Sequence, residues 1–288
     1  MLVKVQELIQ DAVKNNYALG AFNTSNLEMT QGIVEGAIQQ NAPIIVQVSE
    51  TTIKYAGLKT IMGIVHSIAQ DELVKVPIGL HLDHGRNFHS IIECINAGFS
   101  SVQIDASYLG LEENIMLTKQ IADFAHKKSV IVQGEVDRIP GTHGEHEEYD
   151  EKTFKENYKY SNPKDVKRFV EETGVDTVAV AVGTTHGLLK DYINFKVLKS
   201  IYHLVKTPLV LHGASSIAAL EVRRVTKYGV REINIDTELR RVFIQALKRA
   251  LKEKPDIADP REVLTFGKNA VREVVAEKVV AFGSANRA

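Results

Sequence analysis

Cysteine occurs once in the 288 residues, at Cys94, so no disulfide can close within the chain. Also missing is any apolar run long enough to span a bilayer, and the Met-Leu-Val-Lys start has no secretory apolar core. A cytoplasmic location is therefore expected. No long block of one charge sign occurs: 35 lysines and arginines are interspersed with 36 acids, for a net charge of −1. That argues against a nucleic-acid footprint and against a basic helix lying on a membrane, and leaves small anions as partners. Internal repeats and low-complexity segments are lacking, and the glycine fingerprint of a dinucleotide site is absent after the first strand.

What is present is a rhythm. Short apolar, β-branched runs alternate with longer amphipathic segments, the signal of βα units around a parallel sheet. Eight strands are expected: 18–23, 43–49, 76–83, 100–105, 129–135, 176–183, 207–212 and 232–236. All but the first follow a helical pattern, and several of those patterns stop at glycine, at Gly98, Gly174 and Gly229. Eight such units predict an α/β fold, a single (β/α)8 TIM barrel spanning residues 1–288. Cys94 falls in the helical pattern from Phe88, where a buried small hydrophobe is the expected role.

Two stretches break the rhythm. Residues 139–160 are acidic, glycine-containing and weakly periodic, which reads as a lid loop after the fifth strand. Beyond about residue 255, proline breakers precede a helix from Arg261 to Lys278 and a short tail, an extension past the eight units.

Polar residues gather at the C-terminal ends of the expected strands: Asn23, Ser49, Asp83, Asp105, Glu135, His212, Asn234 and Asp236. Barrel active sites are built at that end. Three histidines, His84, His186 and His212, stand at strand ends, each followed by glycine. One such histidine is more often structural, but three at one rim suit a catalytic zinc, which takes three protein ligands and leaves one position open. His84 is expected to leave its strand toward the loop, and His81 to be a core or supporting residue. His143 and His146 fall in the lid, whereas His66, His89, His126 and His203 fit helices.

Asp83 adjoins His84 and is the candidate for moving a substrate proton. Asp105 and Glu135 end the next two strands, as supports of a ligand imidazole or as alternate metal ligands. Gly187, the run Gly213-Ala-Ser-Ser216 and the run Asn234-Ile-Asp-Thr237 offer backbone donors after strands six, seven and eight, where barrels frequently hold phosphate.

These motifs, together with Ala21-Phe-Asn23, Gln47-Val-Ser-Glu50, Lys54-Tyr-Ala-Gly57, Gly98 to Asp105, Glu112-Glu-Asn114 and the Phe282-Gly-Ser-Ala ending, resemble the class II (zinc-dependent) fructose-bisphosphate aldolases from end to end. The resemblance implies reversible cleavage of a ketose 1,6-bisphosphate to dihydroxyacetone phosphate and an aldehyde. It implies Zn2+ on His84, His186 and His212, with other divalent ions able to substitute, and Asp83 acting on the C4 hydroxyl proton. Gly187, Gly213, Ser215, Asn234 and Thr237 would cradle the phosphate end, with Na+ or K+ beside backbone carbonyls; Asn23 and Ser49 join the substrate-binding set. A lid carboxylate would handle the C–H proton. Asp236 resembles the fructose-bisphosphate enzymes, because tagatose-bisphosphate members tend to carry alanine there. A homodimer or homotetramer is expected, with the C-terminal helix as a contact.

Three places depart from the family pattern. After Glu135 the usual Gly-x-x-Gly-Gly and acidic pair are replaced by Val136 to Gly141 and then Thr-His-Gly-Glu-His-Glu-Glu148, with Glu147 or Glu148 as stand-in acids. Ser216 follows Ser215 where glycine is usual, and the lysine-bearing loop after His186 is shortened, leaving Lys190 as its cation.

Overall fold

The computed structural model describes residues 1–141, 158–187, 192–215 and 217–288. Most of the expected lid, with His143, His146, Glu147 and Glu148, lies outside the described residues, as do Lys190 and Ser216.

Eight parallel strands close into a barrel in sequence order: β1 (Leu19–Asn23), β2 (Ile44–Ser49), β3 (Ile78–Gly85), β4 (Ser101–Ile104), β5 (Ile131–Glu135), β6 (Thr177–Ala179), β7 (Leu209–Leu211) and β8 (Val230–Ile235). β8 pairs with β1 through the register Leu19 with Glu232, which completes the closure. Each strand was expected where it occurs, but β6 ends at Ala179 rather than at Gly183. The reason is a change of partner: Ala181 bonds to Ser161 through both backbone groups, and Asn194 N–H donates to Val182. Those residues remain buried while leaving the ladder.

Asparagine, serine and aspartate side chains begin many of the helices. Asn26, Ser49, Asn87, Asn162, Asn194 and Asp259 each accept a first-turn N–H, which satisfies a donor the helix cannot. Gly98, Gly174 and Gly229 all stand in left-handed caps, as their positions led one to expect.

A helix also precedes β1, which the sequence rhythm did not indicate. Val5–Asn15 buries Val5, Leu8, Ile9 and Ala12, the i, i+3, i+4, i+7 stripe of an amphipathic helix. These pack with Leu19, Ala21, Ile45 and Ile131, so the helix floors the N-terminal end of the barrel. At the other end of the chain, Pro260–Phe282 extends the expected Arg261 to Lys278 helix in both directions. Val271 and Val275 of this helix meet the small faces of Gly32 and Gly36 in the helix Leu27–Gln39. Its apolar face is thus buried within the protomer.

Above the floor the barrel lumen is polar. Gln47, His81, Gln103, Gln133 and Glu232 are fully or almost fully buried on β2, β3, β4, β5 and β8. Many barrels fill these layers with branched apolar side chains.

Candidate active site

The site starts from a break in register. β3 pairs regularly with β4 up to Leu82 and resumes only at Gly85, and within the gap His84 takes φ +49°. In a regular strand Asp83 and His84 would point to opposite faces. The left-handed residue, a conformation in which histidine is enriched, turns both into the barrel mouth. His84 therefore stays inside β3 and is buried, where the sequence suggested that it would enter the loop.

His84, His186 and His212 meet there. Their ring centroids lie 5.1, 4.9 and 5.7 Å apart, with interplanar angles of 73°, 80° and 84°. Their ligand atoms lie within 4.8 Å of one another. His84 Nε2 and His212 Nδ1 face each other at 3.2 Å. Two nitrogens each about 2.05 Å from a tetrahedral zinc stand about 3.3 Å apart, so this pair has the bite of a zinc site. His186 is placed through its backbone, which donates to Pro140 at 2.8 Å.

The opposite ring nitrogens are engaged. His84 Nδ1 lies 3.0 Å from Asp105 Oδ2, and the His84 backbone N–H donates to Gln103 Oε1 at 2.8 Å. His212 Nε2 lies 2.8 Å from Gln133 Oε1, and Gln133 Nε2 donates to Glu232 Oε1 at 3.2 Å across the lumen. Such partners fix the tautomer and leave the other nitrogen's lone pair toward the metal. This set of donors fits a divalent ion.

Charge follows from burial and proximity. Burial alone would lower the His84 pKa, but Asp83, Asp105 and Glu135 outweigh it and push the imidazole up to about 9. For Asp105, burial is outweighed by the bond and charge of His84, with Ser107 and Arg86, which hold the carboxyl well below its usual range. Burial, reinforced by Asp105, pushes Glu135 up to about 8. Ser107 Oγ lies 2.7 Å from Asp105 and 3.0 Å from Glu135. His81, fully buried beside Ser101 at 2.7 Å, is pushed down to about 3 by burial and by His84.

Asp83 is held on one side only. Its Oδ2 accepts from Asn23 Nδ2 at 2.7 Å, while Oδ1 has no hydrogen-bond partner among the described residues and lies 3.8 Å from His84 Nε2. A small space of about 20 Å3 beside it is lined by the three histidines, Gly187, Gly213, Ser215, Asn234, Asp236 and Thr237. Gly213 has φ +66° and packs against the backbone of Thr185, where a Cβ would collide. The helix Thr237–Glu253 starts here without a side-chain cap, leaving its first amides for an anion. The helix after Ser215 begins only at Ala219.

A wider cleft of about 640 Å3 opens from Asp83 and His84 past Asn23, Ser49, Arg86, Asp236 and Arg240. Ser49, expected to meet substrate, also caps the helix Glu50–Ala56. Asp236 pairs with Arg240 at 2.7 Å. Lys278, from the last helix, reaches the Ser215 carbonyl at 3.3 Å and Glu238 at 2.8 Å.

Sequence reasoning overlooked Arg86, Gln133, Glu232, Arg240 and Lys278. Gln133 and Glu232 stand two residues before Glu135 and Asn234 on the same strand faces, so alternation could have found them. Nothing local marks Lys278, whose neighbours are far away in sequence.

A closed parallel barrel with a buried three-histidine cluster and donor-rich loops at its C-terminal rim defines a barrel enzyme with a candidate metal centre. The comparisons are specific. Residues 3–287 match the family model described as fructose-bisphosphate aldolase class-II, and the chain belongs to that family. It is 37% identical over 290 residues to a fructose-bisphosphate aldolase of Staphylococcus epidermidis, covering 100% of this chain and 99% of that protein. A fructose-bisphosphate aldolase of Geobacillus stearothermophilus is 35% identical over the same shares. The crystal structure of the YdjI aldolase from Escherichia coli K12 superposes with a TM-score of 0.85 at 32% identity, covering 100% of both chains.

Proposed function

We propose that this chain reversibly cleaves fructose 1,6-bisphosphate to dihydroxyacetone phosphate and glyceraldehyde 3-phosphate, with zinc held by His84, His186 and His212. The observation that carries this reading is the convergence of three imidazoles beside an Asp83 oxygen that has no partner among the described residues. Bound zinc supplies Lewis-acid polarisation of the substrate's oxygens and a sink for the charge released on cleavage.

The chain's own groups do the rest. Asp83, braced by Asn23, takes the C4 hydroxyl proton through Oδ1; the C4–O pair becomes the aldehyde carbonyl, the C3–C4 pair is left on the dihydroxyacetone phosphate half as its C2–C3 enediolate, and a lid carboxylate, Glu147 or Glu148, gives C3 its proton. Gly187, Gly213, Ser215, Asn234 and Thr237 hold the dihydroxyacetone phosphate end, with Na+ or K+ beside backbone carbonyls. Asp105 and Gln133 keep His84 and His212 in their ligating tautomers. Asn23, Ser49 and Asp236 line the cleft toward the aldehyde half, and the reading adds Lys190 to the substrate set. No helix among the described residues is long and apolar enough to cross a membrane. The reading includes a cytoplasmic homodimer or homotetramer.

The test is cleavage of fructose 1,6-bisphosphate by purified protein, coupled to triose phosphate detection, with chelator and then with zinc restored. Activity that chelator abolishes and zinc restores is expected, with tagatose 1,6-bisphosphate a poorer substrate. Faster cleavage of the tagatose compound would reassign the substrate, and no cleavage of either by zinc-loaded protein would overturn the reading.

A further inference from the structure

Beside the three-histidine cluster lies a second group of buried donors: His84, Asp105 and Glu135, with ligand atoms within 4.8 Å of one another. One imidazole and two carboxylates are a donor set for a divalent ion. A cation is already there. Arg86 donates to Asp105 Oδ2 from Nε at 3.0 Å and from Nη2 at 2.9 Å, and the same oxygen meets His84 Nδ1 at 3.0 Å. Asp105 Oδ1 is taken by Ser107 at 2.7 Å, and Glu135 Oε2 by Gln103 at 3.1 Å. The main chain that carries Arg86 is anchored as well, because the backbone N–H groups of Arg86 and Asn87 both donate to Glu50 Oε1, at 3.0 and 2.9 Å.

We propose that Arg86 is a built-in cation that closes this second position, so that the chain takes one divalent ion, at His84, His186 and His212, and none at His84, Asp105 and Glu135. The inference rests on the metal reading above. A guanidinium keeps its charge throughout the working pH range and binds a carboxylate through a planar fork. An ion entering between Asp105 and Glu135 must displace that fork and then face a fixed positive charge in a buried pocket. Asp105 is also kept from swinging to a metal, which restricts it to positioning the His84 ring.

The test is the metal count per folded chain, read by elemental analysis after stripping, reloading with zinc and removing the excess. One zinc is expected for the parent protein. Arg86→Met, at a side chain that is about half exposed and so tolerant of change, is expected to approach two. Arg86→Met with Asp105→Asn is expected to return to one, which assigns the extra ion to this pocket rather than to surface histidines. A parent count of two would overturn the inference while leaving the three-histidine reading intact. A count that stays at one in folded Arg86→Met, or at two in the double variant, would also overturn it. A parent count near zero would remove the metal reading and this inference together.

Discussion

Asp83 has one oxygen braced by Asn23 and one facing the histidine cluster, so its proposed part in proton transfer is testable apart from metal retention. Asp83→Ala is expected to keep its zinc and to lose about 10²–10⁴-fold in kcat, the usual worth of a positioned proton-transfer group. Equal loss of zinc and activity would make Asp83 part of the metal site. Glu232 allows a test by pH. Burial pushes its carboxyl up to about 8, above the roughly 4.3 of an unfolded glutamate. The folded protein therefore binds more protons than the unfolded chain between those values, and stability falls as pH rises through them. Glu232→Gln still accepts from Gln133 but cannot ionise. Its Tm is expected to match the parent near pH 4 and to exceed it increasingly toward pH 8; a constant difference would show that Glu232 does not titrate in the lumen.

Elements were the most legible level of the chain. Apolar runs and glycine stops located all eight strands, because these signals are local to each segment. The helix Val5–Asn15 has a regular apolar stripe but escaped because no strand precedes it, so it stands outside the strand–helix alternation. The close contact between the helix Leu27–Gln39 and the last helix could not be read from local signals at all. In the helix Leu27–Gln39, a Cβ on Gly32 would fall 2.5 Å from the Lys268 carbonyl, and one on Gly36 would fall 2.6 Å from the Arg272 carbonyl. Two helices touching backbone to backbone have no room for a methyl. Gly36→Ala is expected to cost about 1–3 kcal/mol of overpacking, although alanine is the better helix former. Denaturant midpoints would show it, and a stabilised variant would mean that the last helix shifts freely. The same helix carries Lys278 to the Ser215 loop, which links this packing to the substrate end of the site.

At the scale of the whole molecule, His84 of β3, His186 after β6 and His212 after β7 converge only when the barrel is closed, so the proposed metal site links metal binding to folding. Zinc at a fixed concentration a hundredfold above its Kd at pH 6 is expected to raise Tm at that pH by about 4–5 °C. The rise should be larger at pH 8 than at pH 6. His84, held near 9 without metal, must release its proton to bind, so binding strengthens as pH increases. A pH-independent rise would mean that His84 is already neutral.

The order of strands and helices, the polar character of their C-terminal ends and the histidines at three of them follow from the sequence alone. Periodicity, caps and strand ends are properties of neighbouring residues, and they point directly to a barrel with its chemistry at one rim. Only the tertiary structure decides which of those polar residues meet. The register break that turns His84 inward, the path from His212 through Gln133 to Glu232, and the Arg86 clamp on Asp105 each depend on strands far apart in the chain facing one another. Those approaches are set by closure of the barrel and by the stagger of its strands, and a local pattern carries no information about what lies across the lumen.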